Sequence, residues 1–456
     1  MDGAQASTSQ CVSTREGTSR KGGRLLFRGG YEYNWKRQNK DSTELWRCAK
    51  KNTCSASIKT KRDPLIVLHE TSHNHEPKNL ETREIKQQME KCTNTVQHDV
   101  SIPIPQIFSE HMEILKQKGI HNLPKFENVS KHLYQKRNNS IGARRLCFSK
   151  AAELIIPEKY LFLLFADYQD RDKRILIFGH KDFIGHLRQS RRFFFDGTFK
   201  ICPKAFYQLF TIHADIGSTE EFVNVIPILY ALLPDKKLDT YQILFEIIKS
   251  QLPEWEPTYA TMDFEVAIIV ALQNIFPDVK ITGCNFHFNQ CLWRRAKTLN
   301  LDKTQTGKAH IKLCAALSHI PKHFVEDGWL YIMAESPSSE NFTKFNDYFV
   351  NTWLEDKVLS NIWCTYNEYH KTNNIVESWN HKIKKIIKVK PNIGQLLQGL
   401  NKDVQFYSEQ LRQPGGIKIS KRKPDTLVRN WKIQTTVQEL LNGQISIGHC
   451  LEKLKF

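Results

Sequence analysis

Two sets of residues in this 456-residue chain have the types and spacing to do chemistry. The first is Cys48, Cys54, His73 and His75, two thiolates and two imidazoles within one short segment. That is the ligand set of a closed, tetrahedral structural zinc site. The Cys-x5-Cys spacing is wider than the commonest C-x2-4-C. His-x-His suits an extended segment, where residues two apart share a side. The alternative is four ordinary surface residues; the combination favours Zn²⁺.

The second set is three acids far apart in sequence: Asp196, Asp263 and Glu377. Asp196 ends the run Arg192-Phe-Phe-Phe, and Asp263 follows Tyr259-Ala-Thr-Met and precedes a helix. Glu377 lies in Thr372-Asn-Asn-Ile-Val-Glu377-Ser-Trp-Asn, near the start of a basic helix. Carboxylates at the ends of apolar strands are costly to desolvate unless a cation compensates. Three that converge would suit two hard cations, Mg²⁺ or Mn²⁺, acting on a phosphodiester. Each acid has a plainer use, as a helix cap or turn residue or as a partner of a helix dipole. Spacing alone does not decide between the two.

The elements that must carry these residues follow from periodicity. Residues 1–20 are expected to be disordered. Strand-like stretches fill 21–78: Arg24-Leu-Leu-Phe, Tyr31-Glu-Tyr-Asn-Trp, Leu45-Trp-Arg-Cys, Ser57-Ile-Lys-Thr and Leu65-Ile-Val-Leu-His69. Residues 79–150 predict a helical linker or a small helix-turn-helix, with one helix marked by Ile107, Met112 and Leu115 and another by Phe126, Val129 and Leu133. Residues 151–391 predict an α/β domain: strands at Tyr160–Tyr168, Arg174–Phe178, Phe193–Ile201, Tyr207–Asp215 and Asn224–Leu232, then helix Leu238–Gln251, strand Thr258–Met262, helix Glu265–Phe276 and strand Val279–Cys284. That order suits a mixed sheet covered by helices. About 288–367 reads as a helical insertion, with Phe342, Phe345, Phe349 and Trp353 on one face. A helix from about Val376 to Val389 ends at Pro391. Residues 392–456 are expected to form a basic helical tail, broken by the loop Pro414-Gly-Gly.

Two resemblances sharpen this reading. Gly22-Gly-Arg-Leu-Leu, Gly30-Tyr-Glu-Tyr33, Leu45-Trp-Arg-Cys48, Cys54-Ser-Ala56, Thr60 and His73-Asn-His75 resemble a FLYWCH-type zinc finger. Phe195-Asp196-Gly-Thr-Phe, Thr261-Met-Asp263-Phe-Glu-Val-Ala, Gly283-Cys284-Asn-Phe-His287-Phe-Asn-Gln and Thr372-Asn-Asn-Ile-Val-Glu377-Ser-Trp-Asn resemble, in order, the motifs of the Mutator-like (MULE) transposase domain. This second resemblance spans about 190–390. It implies an RNase H-like fold, with Asp196 on the first strand, Asp263 after the fourth and Glu377 on a late helix. The 113 residues between Asp263 and Glu377 would hold the helical insertion. Cys284 and His287 fill the family's Cys-x2-His motif; they are either a packed pair at a strand end or close to the active site or DNA. Many relatives carry a C-terminal Cys/His-rich SWIM finger, but only His449 and Cys450 appear near this end.

Charge agrees with a polyanionic partner. The net charge is +18, a field that attracts nucleic acid. Residues 20–78 hold 14 Lys/Arg against 6 Asp/Glu, and residues 371–423 hold 12 against 3. Lys382, Lys384, Lys385, Lys388 and Lys390 cluster after Glu377 and are candidates for phosphate contact, or a solvated helix face. Lys421-Arg-Lys423 reads as a nuclear address or a basic loop. An anionic membrane is the rival partner, but the longest apolar run, Val223 to Pro234, is short and contains Asn224 and Pro227. Met1 to Ser19 lacks the apolar core of a signal peptide. The odd count of 11 cysteines, without framework spacing, fits reduced thiols.

Together these readings imply a DNA transposase of the nucleus, expected as a homo-oligomer acting on element ends and target DNA. Structural Zn²⁺ and catalytic Mg²⁺ or Mn²⁺ would be its cofactors. Two other classes stay open: a domesticated, non-catalytic DNA-binding regulator of the same descent, and a protein-interaction module built on the finger.

Overall fold

The computed structural model describes residues 14–19, 22–62, 64–77, 80–99, 102–140, 150–171, 173–387, 389–413 and 419–456. The chain forms two compact units, Met1–Arg137 and Asn138–Phe456.

The first unit opens with an antiparallel meander of six strands, each paired with the next in sequence: β1 (Thr14–Thr18), β2 (Arg24–Arg28), β3 (Tyr31–Gln38), β4 (Glu44–Cys48), β5 (Ser57–Lys61) and β6 (Ile66–Glu70). Alternating apolar residues put Leu26, Tyr33, Trp46 and Ile58 into one small core. Trp46 also donates to the Thr60 hydroxyl at 2.9 Å, so the buried indole N–H is satisfied. Strand β1 lies in the segment expected to be disordered. Its sequence TREGT has no apolar alternation to announce it; it is held by pairing with β2. Residues 1–13 and 20 of that expectation lie outside the described residues. Three helices follow, α1 (Leu80–His98), α2 (Ile104–Gln117) and α3 (Phe126–Ser140). Cys92, Val96, Ile107, Met112, Leu115 and Leu133 close their core. The buried Arg137 caps carbonyls of Val96, Asp99 and Ile102.

The second unit is built on a mixed seven-stranded sheet. In chain order its elements are β7 (Leu164–Asp170), β8 (Lys173–Gly179), α4 (Lys181–Gln189), β9 (Arg192–Thr198), β10 (Gln208–Asp215), the short β11 (Phe222–Val223) outside the sheet, β12 (Val225–Leu233), α5 (Leu238–Gln251), β13 (Tyr259–Met262), α6 (Val266–Ile275), β14 (Lys280–Gly283) and α7 (Asn285–Thr298). The sheet order is β14-β13-β9-β10-β12-β8-β7. Strand β9 pairs antiparallel with β10 but parallel with β13, which is parallel to β14. Counted from β9, Asp196 is on the first strand and Asp263 follows the fourth, as the RNase H-like resemblance implies; β7 and β8 extend the far edge.

Two local expectations are corrected. Residues 160–163 belong to a 3-10 turn, Glu158–Leu163, rather than a strand. Tyr160 and Leu163, three apart, are both buried, the spacing at which 3-10 side chains eclipse. Helix α4 was not expected, because nine residues offer only one apolar repeat, Phe183 and Leu187.

The insertion contributes α8 (Gln305–Ala316), α9 (Val325–Ala334) and α10 (Glu340–Phe349), the last running into a π-helical turn at Val350–Leu354. Phe342, Phe345, Phe349 and Trp353 are buried there on one face, as their spacing predicts. After α11 (Asn374–Ile386) come α12 (Ile393–Leu411), the two-residue β15 (Ser420–Lys421), α13 (Pro424–Leu441) and α14 (Ile447–Leu454). Residues beyond 391 share both cores. Leu396, Leu397, Leu400 and Val404 of α12 pack with the sheet, while Ile433, Val437, Leu440 and Leu451 pack with the insertion. Pro414-Gly-Gly lies outside the described residues. Among the described residues no helix is long and apolar enough to cross a membrane.

Candidate zinc and acidic sites

The end of β4 and the turn after it deliver Cys48 and Cys54, and the segment after β6 delivers His73 and His75. All four ligand atoms lie within 4.8 Å of one another. Cys48 Sγ is 3.2 Å from His75 Nε2, Cys54 Sγ is 3.4 Å from His73 Nδ1, and those two nitrogens are 3.3 Å apart. Zinc bond lengths of about 2.3 Å to sulfur and 2.0–2.1 Å to nitrogen give tetrahedral edges of roughly 3.3–3.8 Å. The donor set and spacing therefore fit a structural zinc ion.

The second ring nitrogens are engaged as such a site requires. His75 Nδ1 is 2.8 Å from the Glu76 carbonyl, so it carries the proton and leaves Nε2 free to ligate. His73 Nε2 is 2.6 Å from the Tyr33 hydroxyl, which donates to Glu70 Oε1 at 2.9 Å. Burial, with His75 alongside, holds the His73 imidazole below its usual value and thus neutral. Tyr31 stacks on the His73 ring, 3.6 Å between centroids and 2° from parallel. The sequence predicts Tyr31 and Tyr33 as strand residues and as part of the finger motif, and does not single out Glu70; the spacing Tyr-x-Tyr before the first ligand is the available signal.

The acidic site is set by strand register. Along β9, Phe193 and Phe195 face the main core, while Phe194 packs with Val225 and with Val376 of α11. Asp196, two residues after Phe194, shares the α11 side of the sheet. Parallel pairing puts Ala260 beside Phe193 and Thr261 beside Phe194; continuing it by two residues sets Asp263 level with Asp196. Both acids thus sit at carboxyl ends of adjacent parallel strands, where open α/β sheets form their clefts. Gly283 ends β14 beneath them, and a Cβ there would fall 2.2 Å from the Phe264 ring.

Glu377 is in the first turn of α11, and Asn380, one turn later, shares its face. The Asn380 amide donates to Asp196 Oδ2. His287, in the first turn of α7, has Nδ1 2.7 Å from Asp263 Oδ1 and Nε2 3.5 Å from Glu377 Oε1. One imidazole therefore spans two of the acids, and Asn380 ties the third to the helix of the second. The Asn373 side chain donates to the Phe195 carbonyl at 3.2 Å, and its backbone N–H donates to Cys284 Sγ at 3.2 Å. Cys284 is fully buried, the His287 side chain partly so.

Electrostatics follow from this crowding. Burial, with Asp263 nearby, pushes the Asp196 carboxyl up to about 6 against the Asn380 hydrogen bond. Burial alone would lower His287, but hydrogen bonds and charge from Asp263 and Cys284 raise it to about 10. Asp263, Cys284 and His287 are the second group of possible ligands within 4.8 Å among the described residues, and Asp196 and Glu377 are not members of it. Lone carboxylates repel, so the two strand acids and Glu377 each take a neutral or cationic partner.

The helix of Glu377 is clamped from behind. Asp403 of α12, fully buried, accepts from Trp379 Nε1 at 2.7 Å and from the Tyr230 hydroxyl at 3.0 Å. The preceding loop is held by Glu368, paired with Arg192 at 3.0 Å and Lys280 at 2.6 Å. Of the lysines singled out, Lys382 lies over the Phe406 ring at 3.2 Å and 3.7 Å from Asp403. Lys384, Lys385 and Lys390 are exposed. Lys388 lies outside the described residues.

Comparison with protein-family models matches a MULE transposase domain at residues 193–291 and a FLYWCH zinc finger domain at residues 17–75. No curated protein matches the chain. Asp196, Asp263, Cys284 and His287 fall within the first match, and Glu377 lies beyond it. Cys48, Cys54, His73 and His75 fall within the second. The chain thus carries a FLYWCH zinc finger domain followed by a MULE transposase domain.

Proposed function

We propose that the protein is a DNA transposase of the nucleus, in which Asp196, Asp263 and Glu377 hold divalent metal at the reacting phosphodiester and the finger binds DNA. The observation that carries the reading is the level register of Asp196 and Asp263 with Glu377 brought over them on α11. Magnesium or manganese bound there would supply charge neutralisation for the attacking and leaving oxygens. The chain's own part is positional. Asn380 orients Asp196, and the Asp403 clamp fixes the helix that presents Glu377. His287, held by Asp263, stands where it can donate a proton or a hydrogen bond to a phosphate oxygen. Joining two element ends to one target asks for two such sites, hence a homo-oligomer.

The test is incubation of the full-length protein with DNA carrying an element end and Mg²⁺ or Mn²⁺. Strand nicking that needs the metal is expected. Tight binding without any nicking would instead assign the chain to non-catalytic regulators. Absence of DNA binding would leave the protein-interaction reading of the finger.

A further inference from the structure

The run Lys421-Arg422-Lys423 is not a loose basic loop. Ser420 and Lys421 form β15, which pairs antiparallel with β11, Phe222 against Lys421 and Val223 against Ser420. The Arg422 backbone N–H donates to the Glu221 carbonyl at 2.7 Å, and Arg422 Nε donates to the Thr219 carbonyl at 3.3 Å. Two-residue ribbons have little stability of their own, but this one, with the Arg422 hydrogen bonds, holds Lys421 and Arg422 against the β11 segment, directly before Lys423 and α13. Arg422 Nη2 has no hydrogen-bond partner among the described residues.

These cations line a cavity of about 1170 Å³ whose wall also includes Glu377. Six Lys or Arg side chains line it against two carboxylates. Three aromatic rings on its wall, Phe286, Tyr369 and Phe406, are 44%, 41% and 41% exposed, and Lys382 lies over the last. Exposed aromatics are unremarkable when scattered, but here they share one cavity with a cationic wall. Phe286 adjoins His287, its ring 5.4 Å from the imidazole, and Arg422 covers one face of Tyr369 at 4.6 Å. Cations that track a backbone and rings that receive bases are the two components of a single-strand binding channel. A duplex keeps its bases stacked and offers these rings nothing.

We infer that this groove binds an unpaired DNA strand, with bases on Phe286 and Tyr369 and phosphates on Lys421, Arg422 and Lys423, leading it to Glu377. The inference rests on the DNA-processing function proposed above. In that role the groove selects ends whose strands are already separated next to the cleavage point.

The test uses full-length protein with a single-stranded oligonucleotide containing 2-aminopurine, and a fully paired duplex of the same sequence. The fluorophore is expected to be quenched on binding of the single strand. Phe286→Leu with Tyr369→Leu keeps apolar bulk but removes both π faces. It should relieve the quench and weaken single-strand binding about thirtyfold or more, from stacking worth about 1–3 kcal/mol per base at two bases. Duplex binding should be unchanged. Lys421→Ala with Lys423→Ala should flatten the single-strand salt slope by about 1.4. Thermal unfolding of each variant checks the fold. Duplex binding with a single-strand affinity and quench indifferent to the ring changes overturns the groove and spares the DNA function. Failure to bind either form of DNA overturns both.

Discussion

Asn380 donates its side-chain amide to the Asp196 carboxylate, joining residues 184 apart in sequence. The bond sets the face of α11 toward the sheet, and Glu377, three residues earlier, is carried with it. A helix docked through Asn380 cannot rotate without removing the side-chain hydrogen bond that does most to lower the cost of burying Asp196. Asn380→Leu should therefore reduce metal-dependent nicking more than it reduces DNA binding. Asn380→Ser, which keeps a short donor, should recover part of the loss. Equal losses of nicking and binding in the two variants would make Asn380 a packing residue.

Zinc affinity should depend on a residue that ligates nothing. Tyr33 links His73 to Glu70 through one hydroxyl. Tyr33→Phe keeps the buried ring and removes the link, and is expected to lower zinc affinity about 10- to 100-fold. Competition with a chromophoric chelator measures it, with one equivalent of zinc per wild-type chain as the reference. Cys54→Ser should abolish binding, because a thiolate is lost from a four-ligand site. Unchanged affinity in both variants would remove this cluster as the zinc site.

Much of this was legible in the sequence, and the residues show why. The run Phe193–Phe195 announces a strand buried on both faces, and alternation alone puts Asp196 with Phe194. Cys48, Cys54, His73 and His75 assemble across about 30 residues of meander, so local spacing sufficed. His287 is read from the sequence as packed or as close to the active site or DNA, and Asn380 only as the end of a motif. Their roles depend on the register of β13 against β9 and on how α11 docks, neither of which is written locally. Asn380 closes the motif that begins at Thr372 and stands one helical turn after Glu377, and these were the sequence signals for it. Strand β1 and helix α4 escaped because each depends on its neighbour for stability rather than on its own pattern.

Affinity for DNA should fall steeply with salt, and the finger should carry part of that dependence. The excess of +8 within residues 20–78 would make phosphate contacts whose counterions are released on binding. Deleting these residues should weaken duplex binding and flatten the plot of log affinity against log salt. A slope unchanged by the deletion would place the contacts elsewhere.

Acid should loosen the loop that leads into α11. Burial would raise the Glu368 carboxyl, but Lys280 and Arg192 outweigh it and hold it below its usual value. The folded value is depressed, so its stabilisation is present above the unfolded value of about 4.3 and is lost as pH falls through the folded value. Glu368→Gln should destabilise by about 2–3 kcal/mol near neutral pH, because Arg192 is left partly buried without its charge partner. Denaturant unfolding should show the gap between wild type and variant closing as the pH falls below the unfolded value and through the depressed folded one. A gap constant with pH would mean that the ion pair contributes nothing beyond packing.

The three acids can be separated from structural residues by what divalent metal does to stability. Asp196→Asn, Asp263→Asn and Glu377→Gln keep side-chain shape and remove one charge each. Asp196→Asn retains an oxygen for Asn380, and it relieves the desolvation that, with Asp263, raises Asp196 to about 6. The metal-free Asp196→Asn variant should therefore unfold no earlier than wild type, whereas Asp263→Asn and Glu377→Gln also take a charge partner from His287. A cap or turn residue would behave in the opposite way, losing about 1 kcal/mol on neutralisation. Mn²⁺ should raise the unfolding temperature of the wild type, since a ligand that binds only the folded state stabilises it. Each variant should lose most of that rise together with nicking, while duplex affinity at fixed salt stays near the wild-type value. A variant that keeps both the Mn²⁺ response and nicking removes its acid from the site. His287 makes the pattern sharper: its imidazole already spans Asp263 and Glu377, so His287→Gln, which withdraws that cationic partner, should leave the metal-free protein less stable but strengthen its response to Mn²⁺.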